Sequence, residues 1–225
     1  MVHPNGYTSL FPVAPRVSSI RQLLPVSQVL RMAANRTAKS IATRQRFVDE
    51  ALRLFKERGY ESTSMAQIAA AAGSSRANLY LYFNSKSQII RARMTEIETE
   101  VAELYEVLDG MSQHTPGALR EWLETARGMW LRYATEFEAV NQAMAIDPDV
   151  LEEWLGLIRR VSSAHAALHL GGATEEERTE REAHMATLMM GLERTFYFLY
   201  IRGHKEREEL ILASLARQWA RLFDD

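Results

Sequence analysis

Apolar residues recur at intervals of three and four along most of the chain, which is the spacing of one face of an α-helix. The first clear case runs from Phe47 to Phe55, and Gly59 then stands where a helix would end. Further helical patterns cover about 65–72, 74–83, 86–108, 116–137, 149–169, 175–202 and 206–223. No long stretch alternates with a period of two, so no strand is expected. The pattern predicts an all-α protein.

Two short helical patterns lie close together between Gly59 and Lys86. Ser64 and Gln67 have the spacing of a capping box, which predicts that a helix begins just after Ser64. Gly73 interrupts this helix, and the segment "SSRANLYLYF" opens the second one. Two short helices joined by a tight turn that contains glycine are typical of a helix-turn-helix motif.

The charges are distributed unevenly along the chain, although the net charge is only −2. Residues 1–93 contain 14 Lys and Arg against 4 Asp and Glu, whereas the remainder contains 13 against 25. A basic N-terminal part favours a polyanionic partner, and double-stranded DNA is the partner that fits a helix-turn-helix.

Residues 1–40 hold four of the six prolines and no acidic residue, so we expect a basic, mostly disordered arm before the first helix. Met32 leaves open that translation starts there. The chain has no cysteine, which excludes disulfides and thiol catalysis and fits a reducing cytoplasm. No apolar run is long enough to predict a membrane span.

The segment "GYESTSMAQIAAAAGSSRANLYLYFNSKSQII" resembles the DNA-binding region of the TetR (tetracycline-repressor) family. The resemblance covers about residues 44–92 and is carried by Thr63, Ile68, Ala69, Ala72, Gly73, Leu79, Tyr80, Tyr82, Phe83 and Lys86. It implies a three-helix DNA-binding domain over 41–92 and a helical ligand-binding and dimerisation domain over 93–225. The chain has Ser74 where the family often has Val and Asn78 where it often has Thr, which leaves the operator sequence open.

A recognition helix presents small or polar side chains at its N-terminus to base edges, while neighbouring side chains hold phosphates. Arg76 could pair with guanine, and Tyr80 and Tyr82 could offer hydroxyls to phosphates, since Leu79 and Phe83 share the face expected in the core. The alternative is that the tyrosines only fill the core of the small domain. The expected DNA-binding residues are Arg44, Thr63, Ser64, Ser75, Arg76, Ala77, Asn78, Tyr80, Leu81, Tyr82 and Lys86.

All four tryptophans and the segment "MMGLERTFYFLY" lie in the second half of the chain. The family resemblance implies that this half binds a small effector. This half is also more distantly similar to the mycobacterial regulator of ethionamide activation, in which equivalent helices line an apolar pocket. The candidate lining residues are Trp122, Ala126, Met129, Trp130, Trp154, Ile158, Met189, Leu192, Glu193, Phe196, Tyr197 and Trp219. They predict a small lipophilic or aromatic effector. The alternative is ordinary core and interface packing.

The last two helical patterns also carry more apolar surface than a lone bundle needs, which predicts a homodimer. The residues expected at its seam are Leu188, Gly191, Leu192, Thr195, Leu199, Leu210, Leu215, Trp219 and Leu222.

His165 and His169 have the i, i+4 spacing of a pair of metal ligands, but the sequence offers no obvious third ligand. A solvated or core-edge pair is therefore the favoured interpretation, and no metal or cofactor is expected. No phosphate loop, nucleophile elbow or HExxH motif is present. The sequence thus favours a ligand-responsive DNA-binding regulator, most simply a repressor, over two alternatives: a DNA-binding dimer that senses nothing, and an α-helical enzyme.

Overall fold

The computed structural model describes residues 26–169 and 174–223, and this part of the chain contains helices and no strand. The all-α prediction is confirmed. The helices are α1 (Val26–Arg58), α2 (Met65–Ala71), α3 (Arg76–Tyr80), α4 (Lys86–Asp109), α5 (Pro116–Arg132), α6 (Ala134–Met144), α7 (Pro148–His169), α8 (Glu175–Phe196) and α9 (Glu208–Ala220). A π-helical turn (Tyr197–Ile201) continues α8, and a 3-10 turn (Arg221–Phe223) continues α9.

The first helix begins at Val26, well before the position near residue 41 that the sequence pattern indicated. Residues 26–40 contain no proline or glycine, and most of them are residues that tolerate a helix well, among them Ala, Leu, Met and Arg. The expectation of a disordered arm therefore fails for this part. Residues 1–25 lie outside the described chain.

Side-chain caps set the beginning of several helices. The capping box predicted at Ser64 is present, because its hydroxyl accepts from the backbone of Gln67 while the Gln67 side chain accepts from the backbone of Ser64. Gly59 and Gly73 have positive φ values of 85° and 61°, which a residue with a Cβ adopts only at a cost. These two glycines end α1 and form the turn of the helix-turn-helix.

The pattern over 116–137 was interpreted as one helix, and this was wrong. The chain leaves helical geometry at Tyr133 (φ −103°, ψ 23°), which ends α5 and precedes α6. No proline or glycine marks the break. Contacts with α4 hold it instead, since the Arg132 guanidinium and the Tyr133 hydroxyl both donate to the carboxylate of Glu100.

The buried side chains form two clusters. One joins α1, α2, α3 and the start of α4, around Phe47, Ile68 and Leu79. The other fills the bundle of α4, α5, α7, α8 and α9. Helix α4 belongs to both, with Ile89 and Ile90 in the first cluster and residues from Ile97 onward in the second. It therefore runs unbroken across position 92, where the sequence analysis placed a domain boundary.

Helices α6 and α7 also contribute to the first cluster, through Ala139, Val140, Ala143 and Val150. The helix-turn-helix thus rests on the bundle through shared core rather than through a linker. Within the described residues, no helix combines the length and the apolar character needed to cross a membrane.

Candidate functional site

Helix α3 is held by its cap and by one buried residue. The Ser75 hydroxyl accepts from the backbone of Asn78 at 3.1 Å, and the Asn78 amide donates to the Ser74 hydroxyl at 2.9 Å. Leu79 is fully buried beneath the helix, and Phe83 is buried just after it, as the sequence predicted. These contacts fix which face of α3 points away from the protein.

The outward face of α3 carries the side chains that suit reading of DNA. Ser75, Arg76 and Ala77 are exposed at its N-terminus. The Arg76 guanidinium lies 5.6 Å from the centre of the Tyr80 ring and donates to its hydroxyl at 3.4 Å. Leu81 follows with 82% of its surface exposed, which leaves an apolar side chain at the same surface. Ser64, the cap of α2, is exposed as well.

The two tyrosines differ in their surroundings. Tyr80 is exposed, whereas Tyr82 is half-buried, with its ring 5.7 Å from that of Phe47. The expectation that both tyrosines stand clear of the core was therefore wrong for Tyr82. Its ring belongs partly to the small core, which is what the alternative interpretation held.

Thr63 was expected at the DNA surface, and this was wrong. Only 2% of the residue is exposed. Its hydroxyl donates to the carbonyl of Gly59 at 2.9 Å and also approaches the carbonyl of Leu54 at 3.4 Å. Thr63 therefore ties the end of α1 to the start of α2.

Two of the predicted cations are engaged by protein groups. The Lys86 ammonium donates to the carbonyls of Tyr60 at 2.6 Å and Glu61 at 3.2 Å, and it lies 4.4 Å from the centre of the Tyr60 ring. Partial burial lowers the pKa of Lys86, and the nearby carboxylates of Glu61 and Asp147 oppose this effect. Arg44 lies over the ring of Phe83 at 5.0 Å and approaches Glu96 at 3.5 Å.

A cavity of about 80 Å³ lies inside the bundle. Seven of the predicted lining residues border it: Met129, Trp130, Trp154, Ile158, Met189, Leu192 and Glu193. Most of its wall is apolar. This volume is smaller than that of a typical drug-sized site, which is about 300–1,000 Å³, so a ligand of that size has to displace part of the wall.

Five predicted lining residues do not border the cavity: Trp122, Ala126, Phe196, Tyr197 and Trp219. Trp122 donates to the carbonyl of Leu104 at 2.9 Å and packs against Trp219, with ring centres 5.0 Å apart. Trp122 and Ala126 lie two turns and one turn before Trp130 on α5, where the helix packs against α9 instead. The alternative interpretation as ordinary core is correct for them.

The sequence analysis missed two walls of the cavity. One is a face of α4, with Met94, Ile97, Val101, Leu104 and Tyr105, whose regular spacing was visible in the sequence. The other is α6, with Glu136, Phe137, Val140 and Asn141. Glu136 and Phe137 fell at the end of the pattern over 116–137, whereas Val140 and Asn141 fell outside every predicted helix.

Three polar side chains border the cavity. Glu136 accepts from the Arg93 guanidinium at 2.8 Å, and Glu193 accepts from the Asn141 amide at 2.8 Å. Burial raises the pKa of Glu193, and the hydrogen bond from Asn141 partly opposes this rise. The cavity therefore offers a protonatable carboxyl group within an apolar wall.

Helix α6 connects the cavity to the helix-turn-helix. Its residues Phe137 and Asn141 border the cavity, while Gln142 accepts from the backbone N–H of Tyr60 at 2.8 Å. The Tyr60 hydroxyl in turn approaches Asp147 at 3.4 Å, in the turn between α6 and α7. A displacement of α6 therefore reaches the residues that follow α1 and hold Lys86.

Comparison with known proteins gives a consistent result for the N-terminal part. Residues 47–92 match the model of the bacterial regulatory proteins of the tetR family. The transcriptional regulator AcrR of Shigella flexneri is 38% identical over 73 residues, which are 32% of this chain and 34% of AcrR. The transcriptional repressor AcnR of Corynebacterium efficiens is 26% identical over 122 residues, which are 52% of this chain and 58% of AcnR. The chain thus spans about a third of AcrR and somewhat over half of AcnR in these matches.

Solved structures agree over a longer part of the chain. A protein of Syntrophomonas wolfei assigned to the TetR family superposes with a TM-score of 0.63 at 14% identity, covering 81% of this chain and 96% of that one. The TetR-family regulator PfmR of Thermus thermophilus gives 0.55 at 21% identity, covering 78% and 97%. At these identities the likeness concerns the fold. The curated relatives named here are regulators of transcription.

Proposed function

We propose that this chain, whose residues 47–92 match the tetR family of bacterial regulatory proteins, is a homodimeric repressor that a small apolar effector releases from DNA. It would act in the cytoplasm on a pseudo-palindromic operator. Two copies of α3 would enter successive major grooves, with Arg76 and Ala77 at base edges and Ser64, Ser75 and Tyr80 near phosphates.

One observation carries the proposal: α4 and α6 border the cavity and also pack against the helix-turn-helix. An occupant larger than the present cavity has to displace part of its wall, and we propose that it moves α4 or α6. Movement of either helix shifts α3 relative to its symmetry mate in a dimer, which alters the match to the operator. To switch occupancy fully, the effector must favour one arrangement by about 10⁴-fold.

The polar groups of the cavity support one feature of the effector. Glu193 and Asn141 provide a carboxyl and an amide on an otherwise apolar wall. A mostly apolar molecule with one hydroxyl, amide or amine group fits this arrangement.

The test compares two methionines of α8 that are both buried, of which only Met189 borders the cavity. An effector found by thermal shift should lower the affinity of the wild-type protein for an operator selected from genomic DNA. Met189→Phe should lower the affinity for the effector by at least about tenfold, because the phenylalanine ring occupies part of the effector's site. Met185→Phe overpacks the core without filling the cavity, so it should lower stability and leave the effector affinity unchanged.

An effector that stabilises the protein strongly and leaves operator affinity unchanged would refute the release mechanism. The chain would then be a DNA-binding dimer whose cavity has no part in switching. Equal effects of the two substitutions on effector affinity would place the ligand elsewhere.

The seam that we propose for the dimer lies on the two last helices, as expected, but excludes most of the nine residues expected there. Gly191 and Leu210 are exposed and Thr195 is half-buried, whereas the other six are buried. Leu188, Leu192, Leu199, Leu215, Trp219 and Leu222 are buried within the chain's own core, so they cannot form the seam. The exposed apolar side chains of this region are Met190, Phe198 and Leu210. They belong to α8, its π-helical extension and α9, and we propose that they pair across a two-fold axis.

Phe198→Glu tests this surface, because a charge placed at an apolar seam opposes association. The variant should sediment as a monomer at a concentration at which the wild type is a dimer. Leu131→Glu is the matched control, since Leu131 is exposed to a similar extent (49% against 47% for Phe198) but lies on α5. A dimeric Phe198→Glu variant would contradict the assignment.

A further inference from the structure

Two histidines and an aspartate meet at the end of the bundle, where α4 stops. Asp109 is the last residue of α4, and His165 and His169 lie one turn apart near the end of α7. The Asp109 Oδ1 atom is 2.5 Å from Nδ1 of His165 and 3.2 Å from Nε2 of His169. The sequence suggested the histidine pair, and the fold brings the third side chain to it.

The cluster is largely withdrawn from water. His165 is 1% exposed, and the Asp109 side chain is 10% exposed. The Phe223 ring covers the histidines from one side, with ring centres 5.5 Å from His165 and 5.6 Å from His169. His169 is more open, and it forms the edge through which an ion could enter.

The arrangement has the chemistry of a metal site. One donor atom from each residue lies within 4.8 Å of the other two. Ligands bonded at about 2.0–2.2 Å to one tetrahedral ion are separated by roughly 3.3 Å, so small side-chain rotations suffice to admit an ion between them. Two imidazoles and one carboxylate suit zinc and its neighbours in the first transition series, whereas magnesium and calcium prefer oxygen ligands alone.

We propose that Asp109, His165 and His169 bind a divalent transition-metal ion of the zinc type. Nδ1 of His165, Nε2 of His169 and Oδ1 of Asp109 supply three ligands, and water completes the coordination. The ion joins the end of α4 to α7, two helices that pack along each other. It stabilises the C-terminal end of α4, which is the end away from the helix-turn-helix.

The experiment uses the full chain without a histidine tag, after treatment with a chelator. Zinc titrated by calorimetry should bind one equivalent per chain. At a hundredfold excess over the dissociation constant it should raise the melting temperature by about 5–10 °C. Magnesium should do neither. Cobalt should give the visible absorption bands of a tetrahedral site, which a hydrogen-bonded histidine pair cannot produce.

Three variants test the assignment of ligands. His169→Ala and Asp109→Asn should each weaken zinc binding by at least about 100-fold. Loss of a residue that only hydrogen-bonds to a metal ligand costs about 10–100-fold, so a larger loss indicates a ligand. His184→Ala should bind as the wild type does, because His184 is exposed on α8 and is not part of the cluster. His169 is the informative position, since it lies at the edge of the fold and its replacement leaves the buried His165–Asp109 contact intact.

Wild-type protein that binds no zinc, or that binds it equally well after His169→Ala and Asp109→Asn, would overturn the proposal. In the first case the cluster is a hydrogen-bonded pair that stabilises the fold. In the second, zinc is held by other side chains. Neither result bears on operator binding, so this test is independent of the proposed regulatory function.

Discussion

The sequence and the structure assign different contacts to the ammonium group of Lys86. The sequence places Lys86 among the expected DNA-binding residues, whereas in the structure its ammonium donates to the carbonyls of Tyr60 and Glu61. We therefore expect Lys86→Met to lower the stability of the helix-turn-helix, and to affect DNA binding mainly by that route. The substitution keeps an unbranched apolar stem and removes only the ammonium.

The magnitude follows from the contacts that are lost. A hydrogen bond from a charged donor contributes about 1.5–3 kcal/mol, and partial exposure of Lys86 favours the lower end. The approach of the ammonium to the Tyr60 ring at 4.4 Å adds about 0.5–1 kcal/mol. A loss of roughly 2 kcal/mol in the free energy of unfolding is expected. For a chain of this size, the melting temperature should fall by about 4–8 °C.

Urea denaturation measures the stability, and operator binding at several salt concentrations measures the phosphate contacts. Lys56→Met is the matched control, since Lys56 is exposed near the end of α1 and loses the same charge. It should change the free energy of unfolding by no more than about 0.5 kcal/mol. A Lys86→Met variant of unchanged stability, whose slope of log affinity against log salt is lower by about 0.9, would contradict this assignment, because that change is the signature of one lost phosphate contact.

Two further predictions concern the DNA surface and the cavity. Arg76→Ala should cost about 1–3 kcal/mol of operator binding and relax the preference at one base pair, as measured on a panel of operator variants, and a uniform loss on all sequences would reassign Arg76 to the backbone. Glu193→Gln should change the dependence of stability on pH. Because burial raises the pKa of Glu193 above its ordinary value of 4.5, the wild type loses stability as the pH rises from that value through the folded-state pKa. The glutamine variant lacks this loss, so its stability relative to the wild type should increase from pH 4 to pH 8 in urea denaturation, and a difference that stays constant would contradict the assignment.

Local sequence alone determined most of the helices and the helix-turn-helix. Ser64 and Gln67 specify a capping box within four residues, and Gly73 supplies a turn conformation that other residues avoid. Leu79 and Phe83 could be assigned to the core from their spacing, since four residues on a helix return to the same face. Such features depend on neighbours along the chain, and these are visible in the sequence.

The packing of the helices against one another fixes where the cavity lies and which charges remain at the surface. Tyr133, where α5 ends, donates to Glu100, 33 residues earlier, and α6, which begins there, forms the second wall of the cavity. Trp122 and Trp130 share a face of α5, yet one contacts α9 and the other borders the cavity, because a helical face meets different neighbours along its length. Asp109 likewise meets His165 across 56 positions. Contacts over such distances depend on how the helices pack, and periodicity within one helix carries no information about its partner.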